Sequence, residues 1–244
     1  MIQPAEISSP PRPRTIPLPG VRPIVTYAII AVTSLVFLGQ LVLGDPFTYY
    51  GLKINELILQ GEYWRFITPI FFHANILHIF FNMYALYNIG LQIERPLGYA
   101  KFLMIYFFSG VIGVFASFLF STTPSLGASG AIFGLIGALA VFLYRNSRVF
   151  GQAGRNMLYN VLFIIVINLV ISVSVPNIDL RAHIGGLVTG SVLAWMLVPV
   201  WRVQVDPLTG TPQIMDQNPL ARHTLFVFSI LLIVCVAALW VGVR

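Results

Sequence analysis

The chain has 244 residues, of which 57% are hydrophobic and 9% are charged. Because soluble domains carry about a quarter charged residues, this composition excludes an ordinary soluble domain and indicates a membrane protein. The formal net charge is +6, but the basic residues are scattered between apolar runs instead of forming a patch. We therefore expect membrane lipids as partners and no nucleic acid.

The chain begins with a proline-rich segment, residues 1–23, which contains arginines and no apolar stretch before Ile24. A secretory signal peptide has an apolar region of about 7–15 residues, which is missing here. Closely spaced prolines also prevent a packed helix. We therefore expect an extended cytoplasmic tail.

Seven apolar runs follow the tail. Each is compatible with a membrane-spanning helix, since about 20 apolar residues cross the hydrocarbon core. The predicted spans are residues 24–43, 71–93, 102–120, 129–144, 157–175, 182–201 and 225–243.

The predicted fold class is an all-α membrane protein, a polytopic helical bundle with a six-helix core over residues 24–201. A polar, proline-containing cytoplasmic connector, residues 202–222, leads to one extra C-terminal transmembrane helix, residues 223–244. Cys235 is the only cysteine, which excludes an intramolecular disulfide and a cysteine-based metal site. We expect no metal and no cofactor.

The distribution of lysine and arginine predicts the orientation. If the N-terminus is cytoplasmic, ten of the 14 basic residues fall on the cytoplasmic side and four on the other. This agrees with the positive-inside rule and places the C-terminus outside, in a multi-pass protein that we expect in a prokaryotic cell membrane. The cytoplasmic set is Arg12, Arg14, Arg22, Arg95, Lys101, Arg145, Arg148, Arg155, Arg202 and Arg222.

Small residues surround Ser129 at the start of the fourth span, where residues 127–134 read Gly-Ala-Ser-Gly-Ala-Ile-Phe-Gly. A serine that begins a helix lies next to free backbone N–H groups, which favour a developing negative charge. The alternative is a packing seam, because glycine and alanine are common where membrane helices touch. The fourth span is about 24 Å long, shorter than the ~30 Å hydrocarbon core. We therefore expect Ser129 at the floor of a water-filled cavity open to the outside.

His183 begins the sixth span, which runs in the same direction as the fourth, so it is expected at the same depth as Ser129. Small residues recur at four-residue spacing on both spans, including Gly130 on the fourth and Gly186 and Gly190 on the sixth. This spacing lets membrane helices approach closely. We therefore expect His183 to accept the proton of Ser129 as a general base.

No carboxylate is placed to complete a triad. Asp179 is the nearest in sequence and is predicted to lie in the outer loop before His183. The sequence therefore predicts a Ser-His dyad whose imidazole is oriented by packing. Phe133 lies one helical turn after Ser129 and could stack on the imidazole.

The second span carries His78 and Asn82, which lie on one helix face because they are four residues apart. Together with the Ser129 N–H they could donate hydrogen bonds to an oxyanion. Alternatively, they could only join helices by hydrogen bonds. His73 on the same span is expected to line the cavity or to hold the first outer loop, residues 44–70.

Several short motifs occur together in this chain, and their combination resembles the rhomboid family of intramembrane serine proteases. The resemblance covers about residues 24–201. The motifs are Trp64-Arg65, His73 with His78 and Asn82, Gly127-Ala128-Ser129-Gly130, and Ala182-His183-Ile184-Gly185-Gly186 with Gly190.

The resemblance implies a role for each matching residue of the site. Ser129 would be the nucleophile and His183 the base. His78 and Asn82 would be the oxyanion donors. Phe133 departs from the tyrosine that the family often has at this position, so it keeps the stacking ring and lacks the hydroxyl.

The resemblance also implies structural roles for Arg65 and Glu94, which would hold loop and helix ends. A second interpretation of Trp64 and Arg65 is that both are interfacial anchors. The extra C-terminal helix resembles the six-plus-one arrangement of part of the family.

These expectations predict an endopeptidase that cleaves peptide bonds within or next to transmembrane segments of membrane-protein substrates. We expect the active site to be complete within one chain, whatever its oligomeric state, which the sequence does not indicate. The second and fifth spans are expected to part to admit the substrate, with residues 174–181 as a lid.

Three alternative functions fit the sequence less well. A catalytically inactive rhomboid-like protein that binds membrane helices usually lacks the serine or the histidine, and both are present here. A transporter is disfavoured because the chain has no repeat of discontinuous helices and no intramembrane carboxylate pair. A soluble α/β-hydrolase is excluded because its Gly-x-Ser-x-Gly turn would need glycine in place of Ala131.

Overall fold

The computed structural model describes residues 18–218 and three isolated positions, 229, 233 and 237. The predicted tail lies almost entirely outside these residues, as does the predicted seventh helix apart from the isolated positions. The described helices are α1 (Ile24–Leu43), α2 (Asp45–Gly51), α3 (Asn55–Leu59), α4 (Ile76–Leu97), α5 (Tyr99–Phe120), α6 (Ser129–Arg145), α7 (Ser147–Ser174) and α8 (Leu180–Leu197).

The long apolar helices form a helical bundle. Within the described residues, α1, α4, α5, α7 and α8 are long and apolar enough to cross a membrane, and α6 is shorter, with 17 residues. Each of these six helices overlaps one of the first six predicted spans. The prediction of a polytopic helical membrane protein is confirmed.

Helices α5 and α8 begin three and two residues before their predicted starts, and two other helices differ from the prediction by more. The second predicted span begins at residue 71, whereas α4 begins at Ile76 because the Asn75 side chain caps it, accepting a hydrogen bond from the His78 N–H at 2.9 Å. The fifth predicted span begins at residue 157, whereas α7 begins at Ser147 and is interrupted by a non-helical conformation at Gly151. His73 therefore lies before α4 and not on it.

The short helix α6 is the centre of the bundle, and most of its residues are buried. It is surrounded by α4, α5, α7 and α8. Glycines bring α6 and α8 into backbone contact: a Cβ on Gly190 would collide with the backbone of Gly134, and one on Gly186 with the carbonyl of Gly130. The small-residue spacing therefore predicted this helix pair correctly.

A second close contact on α8 was not predicted. A Cβ on Gly113 of α5 would lie 2.7 Å from the Ala182 carbonyl oxygen, and one on Gly185 would lie 3.2 Å from the Gly113 Cα. Helix α8 is therefore clamped between α5 and α6, which fixes the position of its first turn.

The N-terminus of α1 is held by a buried carboxylate on α4. Glu94 accepts hydrogen bonds from the Val25 N–H at 2.8 Å, from the Thr26 N–H at 2.7 Å and from the Thr26 hydroxyl at 2.5 Å. These contacts satisfy helix-terminal N–H groups that have no partner within α1.

A β-hairpin, which the sequence did not indicate, lies at the predicted polar connector. Strand β1 (Trp201–Val205) pairs antiparallel with β2 (Pro212–Asp216). The turn between them is stabilised by Asp206, which accepts the Leu208 N–H at 2.8 Å, and by Gly210 at φ 65°. Trp201 is buried against Phe142, which attaches the hairpin to the end of α6.

Candidate active site

Ser129 is the first residue of α6 and is partly accessible to solvent. The turn before it depends on Gly127, whose φ of 133° disfavours any residue with a side chain. The Gly127 N–H donates to the Pro69 carbonyl at 2.8 Å, which ties this turn to the first outer loop. The helix start leaves the Ser129 N–H without a partner inside α6.

His183 lies in the first turn of α8. Asp179 caps this helix, since its Oδ1 accepts the Ala182 N–H at 3.1 Å. The backbone contact between α6 and α8 then brings the His183 ring to the serine, with 2.7 Å between His183 Nε2 and Ser129 Oγ. The two residues that the sequence proposed as a dyad are hydrogen-bonded to each other.

The predicted ring stack on His183 is present. Phe133 lies parallel to the imidazole, with 4.3 Å between the ring centroids and 19° between the ring planes. Both side chains are buried. The stack restricts tilting of the imidazole out of its plane. It does not determine which group hydrogen-bonds to the second ring nitrogen, Nδ1.

That second nitrogen contacts a residue that the sequence did not indicate. His183 Nδ1 lies 2.8 Å from Ser172 Oγ, on α7. Asp179 is engaged elsewhere, because it caps α8 and also accepts the hydroxyl hydrogen of Ser117. A single serine in an apolar helix matches no sequence motif. The sequence therefore did not predict that a hydrogen bond to Ser172 orients the imidazole.

The His78 ring lies beside Gly127, in the turn before Ser129. A Cβ on Gly127 would lie 2.8 Å from His78 Nε2 and 3.7 Å from Ser129 Oγ, so Gly127 keeps the space between these two atoms open. His78 Nδ1 accepts the Ala74 N–H at 3.4 Å. A neutral imidazole has a single N–H, so His78 Nε2 carries the proton and presents a donor to that space.

Asn82 lies one helical turn after His78, and its side chain is buried. Its Nδ2 donates to the His78 carbonyl at 3.0 Å. Because an amide nitrogen has two hydrogens, one donor of Asn82 remains for another acceptor.

His73 is almost fully buried and holds the Ser129 turn. Its Nε2 accepts the Ala128 N–H at 3.4 Å, and its ring packs edge-on against His78 with 5.0 Å between centroids. The ring of His73 thus contacts the loop that precedes α6, which neither expectation named.

Trp64 and Arg65 belong to the first outer loop and do not contact the dyad. Arg65 Nη1 donates to the carbonyls of Tyr49 at 2.6 Å and Leu52 at 2.7 Å, and its Nε pairs with Glu62 at 2.6 Å. Trp64 stacks on Tyr50 with 5.4 Å between centroids. Both residues therefore hold the loop in place.

Comparison with known proteins decides the family. A family model described as the rhomboid domain matches residues 60–200, more than half of the 244-residue chain. This chain belongs to the rhomboid family. The matched region of this rhomboid contains Ser129, His183, His78 and Asn82, and also Ser172.

Curated relatives of this rhomboid include bacterial and plant proteins. It is 43% identical over 174 residues to the rhomboid protease GluP of Bacillus subtilis (strain 168), covering 69% of this chain and 34% of that protein. It is 38% identical over 159 residues to the putative rhomboid protease YdcA of the same organism, covering 63% of this chain and 75% of that protein. RHOMBOID-like protein 9, chloroplastic, of Arabidopsis thaliana is 37% identical over 152 residues, covering 62% of this chain and 35% of that protein. This rhomboid thus spans about a third of the length of GluP and of the Arabidopsis protein.

Proposed function

We propose that this rhomboid is an intramembrane serine endopeptidase that hydrolyses peptide bonds within or next to transmembrane segments of membrane-protein substrates. The observation that carries the proposal is the 2.7 Å contact between Ser129 Oγ and His183 Nε2 at the start of α6. A serine hydroxyl is a weak nucleophile unless a neighbouring base takes its proton. His183 is in position to do so.

The first step is the attack of Ser129 Oγ on the scissile carbonyl carbon, as the hydroxyl proton passes to His183 Nε2. The tetrahedral intermediate carries its negative charge on the former carbonyl oxygen. His183 then protonates the leaving amine, and the C–N bond breaks to leave an acyl ester on Ser129. Water, deprotonated by His183, hydrolyses this ester and restores the serine.

The open space beside Gly127 is where we place the oxyanion. His78 Nε2–H faces it, and the Ser129 N–H at the helix start has no partner within α6. The third proposed donor to the oxyanion is the remaining N–H of the Asn82 side chain. Each such donor contributes about 3 kcal/mol to lowering the barrier in serine proteases.

Substrate access is proposed to occur between α4 and α7, with residues 174–181 as a lid. Support comes from the exposure of α7, which buries only Gly154, Val161, Ile165 and Ser172. A helix with so little buried surface moves away from α4 at lower cost than α6 or α8 would. The proposal places this opening towards the outer face of the membrane, with the N-terminus in the cytoplasm.

The experiment is cleavage of a reporter with a single transmembrane segment by purified protein in reconstituted membranes. We expect cleavage by the unsubstituted protein and none by Ser129→Ala or His183→Ala. Ser147→Ala is the matched control, because Ser147 is a partly exposed serine at the opposite end of α7 from the site. Undiminished cleavage by Ser129→Ala would contradict the proposal.

A fluorophosphonate probe separates this function from the alternative of an inactive rhomboid-like protein that binds membrane helices. Such probes phosphonylate an activated serine and displace fluoride, so a protein that only binds helices does not react. We expect labelling of the unsubstituted protein at Ser129.

A further inference from the structure

Ser172 is a buried polar residue on α7 with two hydrogen-bond partners. Its Oγ lies 2.6 Å from the Asn168 carbonyl oxygen, one turn earlier on the same helix, and 2.8 Å from His183 Nδ1. Ser172 is 5% exposed and His183 is 6% exposed, so water does not compete freely for either contact.

Counting protons assigns the direction of every hydrogen bond in this chain of contacts. A carbonyl oxygen only accepts, and a serine hydroxyl has one hydrogen, so the Ser172 hydrogen goes to the Asn168 carbonyl. Ser172 Oγ must then accept its second bond, which requires a hydrogen on His183 Nδ1. A neutral imidazole has one N–H, so His183 Nε2 carries the lone pair that faces the Ser129 hydroxyl.

We infer that Ser172 is a positioning residue for the proposed proteolysis, holding His183 in the Nδ1–H tautomer and in the orientation that accepts the Ser129 proton. This inference rests on the proposed function. In Ser-His-Asp proteases a buried carboxylate fixes the tautomer of the base. Here a neutral hydroxyl, polarised by a helix carbonyl, occupies the equivalent place beside Nδ1.

The described surroundings leave Ser172 as the residue that fills this role. The carboxylate nearest in sequence, Asp179, is bonded to the Ala182 N–H and to Ser117. Phe133 covers the face of the imidazole and has no hydrogen-bonding atom. Stacking alone does not discriminate between the two tautomers, whereas an acceptor at Nδ1 does.

With this contact, the hydrogen-bonded residues of the proposed site come from three helices. Ser129 is on α6, His183 on α8 and Ser172 on α7. The base is therefore correctly oriented only while α7 is packed against α8 at Ser172.

The test measures two quantities on the full chain. The first is the second-order rate of Ser129 labelling by a fluorophosphonate. The second is the tautomer of His183, read from its imidazole ¹⁵N chemical shifts. The variants are Ser172→Ala, Ser172→Thr, which restores a hydroxyl, and Ser147→Ala, which removes a serine hydroxyl at the opposite end of α7, far from His183.

We expect Ser172→Ala to slow labelling by about tenfold, the equivalent of one hydrogen bond, and to lose the Nδ1–H tautomer. We expect Ser172→Thr to recover most of the rate and Ser147→Ala to match the unsubstituted protein. A His183 Nε2–H tautomer in the unsubstituted protein overturns the inference without any variant being needed. So does a Ser172→Ala protein that labels at the rate of Ser147→Ala and keeps the Nδ1–H tautomer.

The proposed function fails in a different way. If the unsubstituted protein is not labelled at Ser129, the proteolysis proposal is wrong. If labelling at Ser129 requires His183 but is indifferent to Ser172, only the present inference is wrong.

Discussion

The carbonyl oxygen of Gly130 occupies the space that a Cβ on Gly186 would need. Gly130 follows Ser129 directly, and Gly186 lies in the helical turn after His183. One of the backbone contacts between α6 and α8 is therefore next to Ser129 and His183. The packing seam sets the distance between Ser129 Oγ and His183 Nε2.

Substitution of Gly186 by alanine should separate the dyad. We expect Gly186→Ala to destabilise the protein by about 1–3 kcal/mol through overpacking and to lower cleavage by about 100-fold, because a displacement of about 1 Å has that effect on a reacting pair. Val188→Leu adds one carbon to the exposed face of the same helix and should change neither quantity. Reporter cleavage and thermal unfolding measure the two effects, and normal cleavage by Gly186→Ala would contradict the account of the seam.

Removal of the ring at Phe133 should slow cleavage. An aromatic stack contributes about 0.5–1.5 kcal/mol beyond burial, so we expect Phe133→Leu to slow cleavage by about twofold to tenfold. Phe163→Leu makes the same change on the exposed face of α7 and is the control. The initial cleavage rate at saturating reporter is the measurement, and equal rates in the two variants would show that the stack has no role.

Asn82 offers a matched test of the oxyanion donors. Asn82 and Asn88 both donate to a carbonyl one turn earlier on α4, at 3.0 Å and 2.7 Å, but only Asn82 is buried near the site. We expect Asn82→Ala to lower kcat by about 100-fold with little change in KM, and Asn88→Ala to have no effect. A loss confined to KM would assign Asn82 to substrate binding instead.

Glu94 should affect stability without participating in the chemistry. Its three hydrogen bonds hold the start of α1, so we expect Glu94→Gln to lower the free energy of unfolding by about 1–3 kcal/mol, because a glutamine amide has one acceptor oxygen and turns an NH2 group towards the remaining donors. Gln92→Ala, at an exposed position on the same helix, is the control. Thermal unfolding measures the change, and an unchanged His183 tautomer in Glu94→Gln should accompany it.

The sequence predicted the features that depend on local pattern. Apolar runs located the described membrane helices, and small residues beside Ser129 and His183 predicted that α6 and α8 touch. Helix α4 begins at Ile76 because Asn75 caps it, and a hydropathy pattern does not locate such a cap. The contact between Ser172 and His183 depends on how α7 is rotated against α8. The position of the hairpin depends on the burial of Trp201 against Phe142. Both contacts join residues that are brought together only by tertiary packing, so a local sequence pattern does not predict them.

The most direct measurement of the central claim is mass-spectrometric mapping of the fluorophosphonate adduct, with its formation rate compared between the unsubstituted protein and His183→Ala. If His183 activates Ser129, the adduct will be on Ser129 and its formation will be about 1,000-fold slower, or more, in His183→Ala. An adduct on another residue, or labelling of Ser129 at the same rate in His183→Ala, would contradict it.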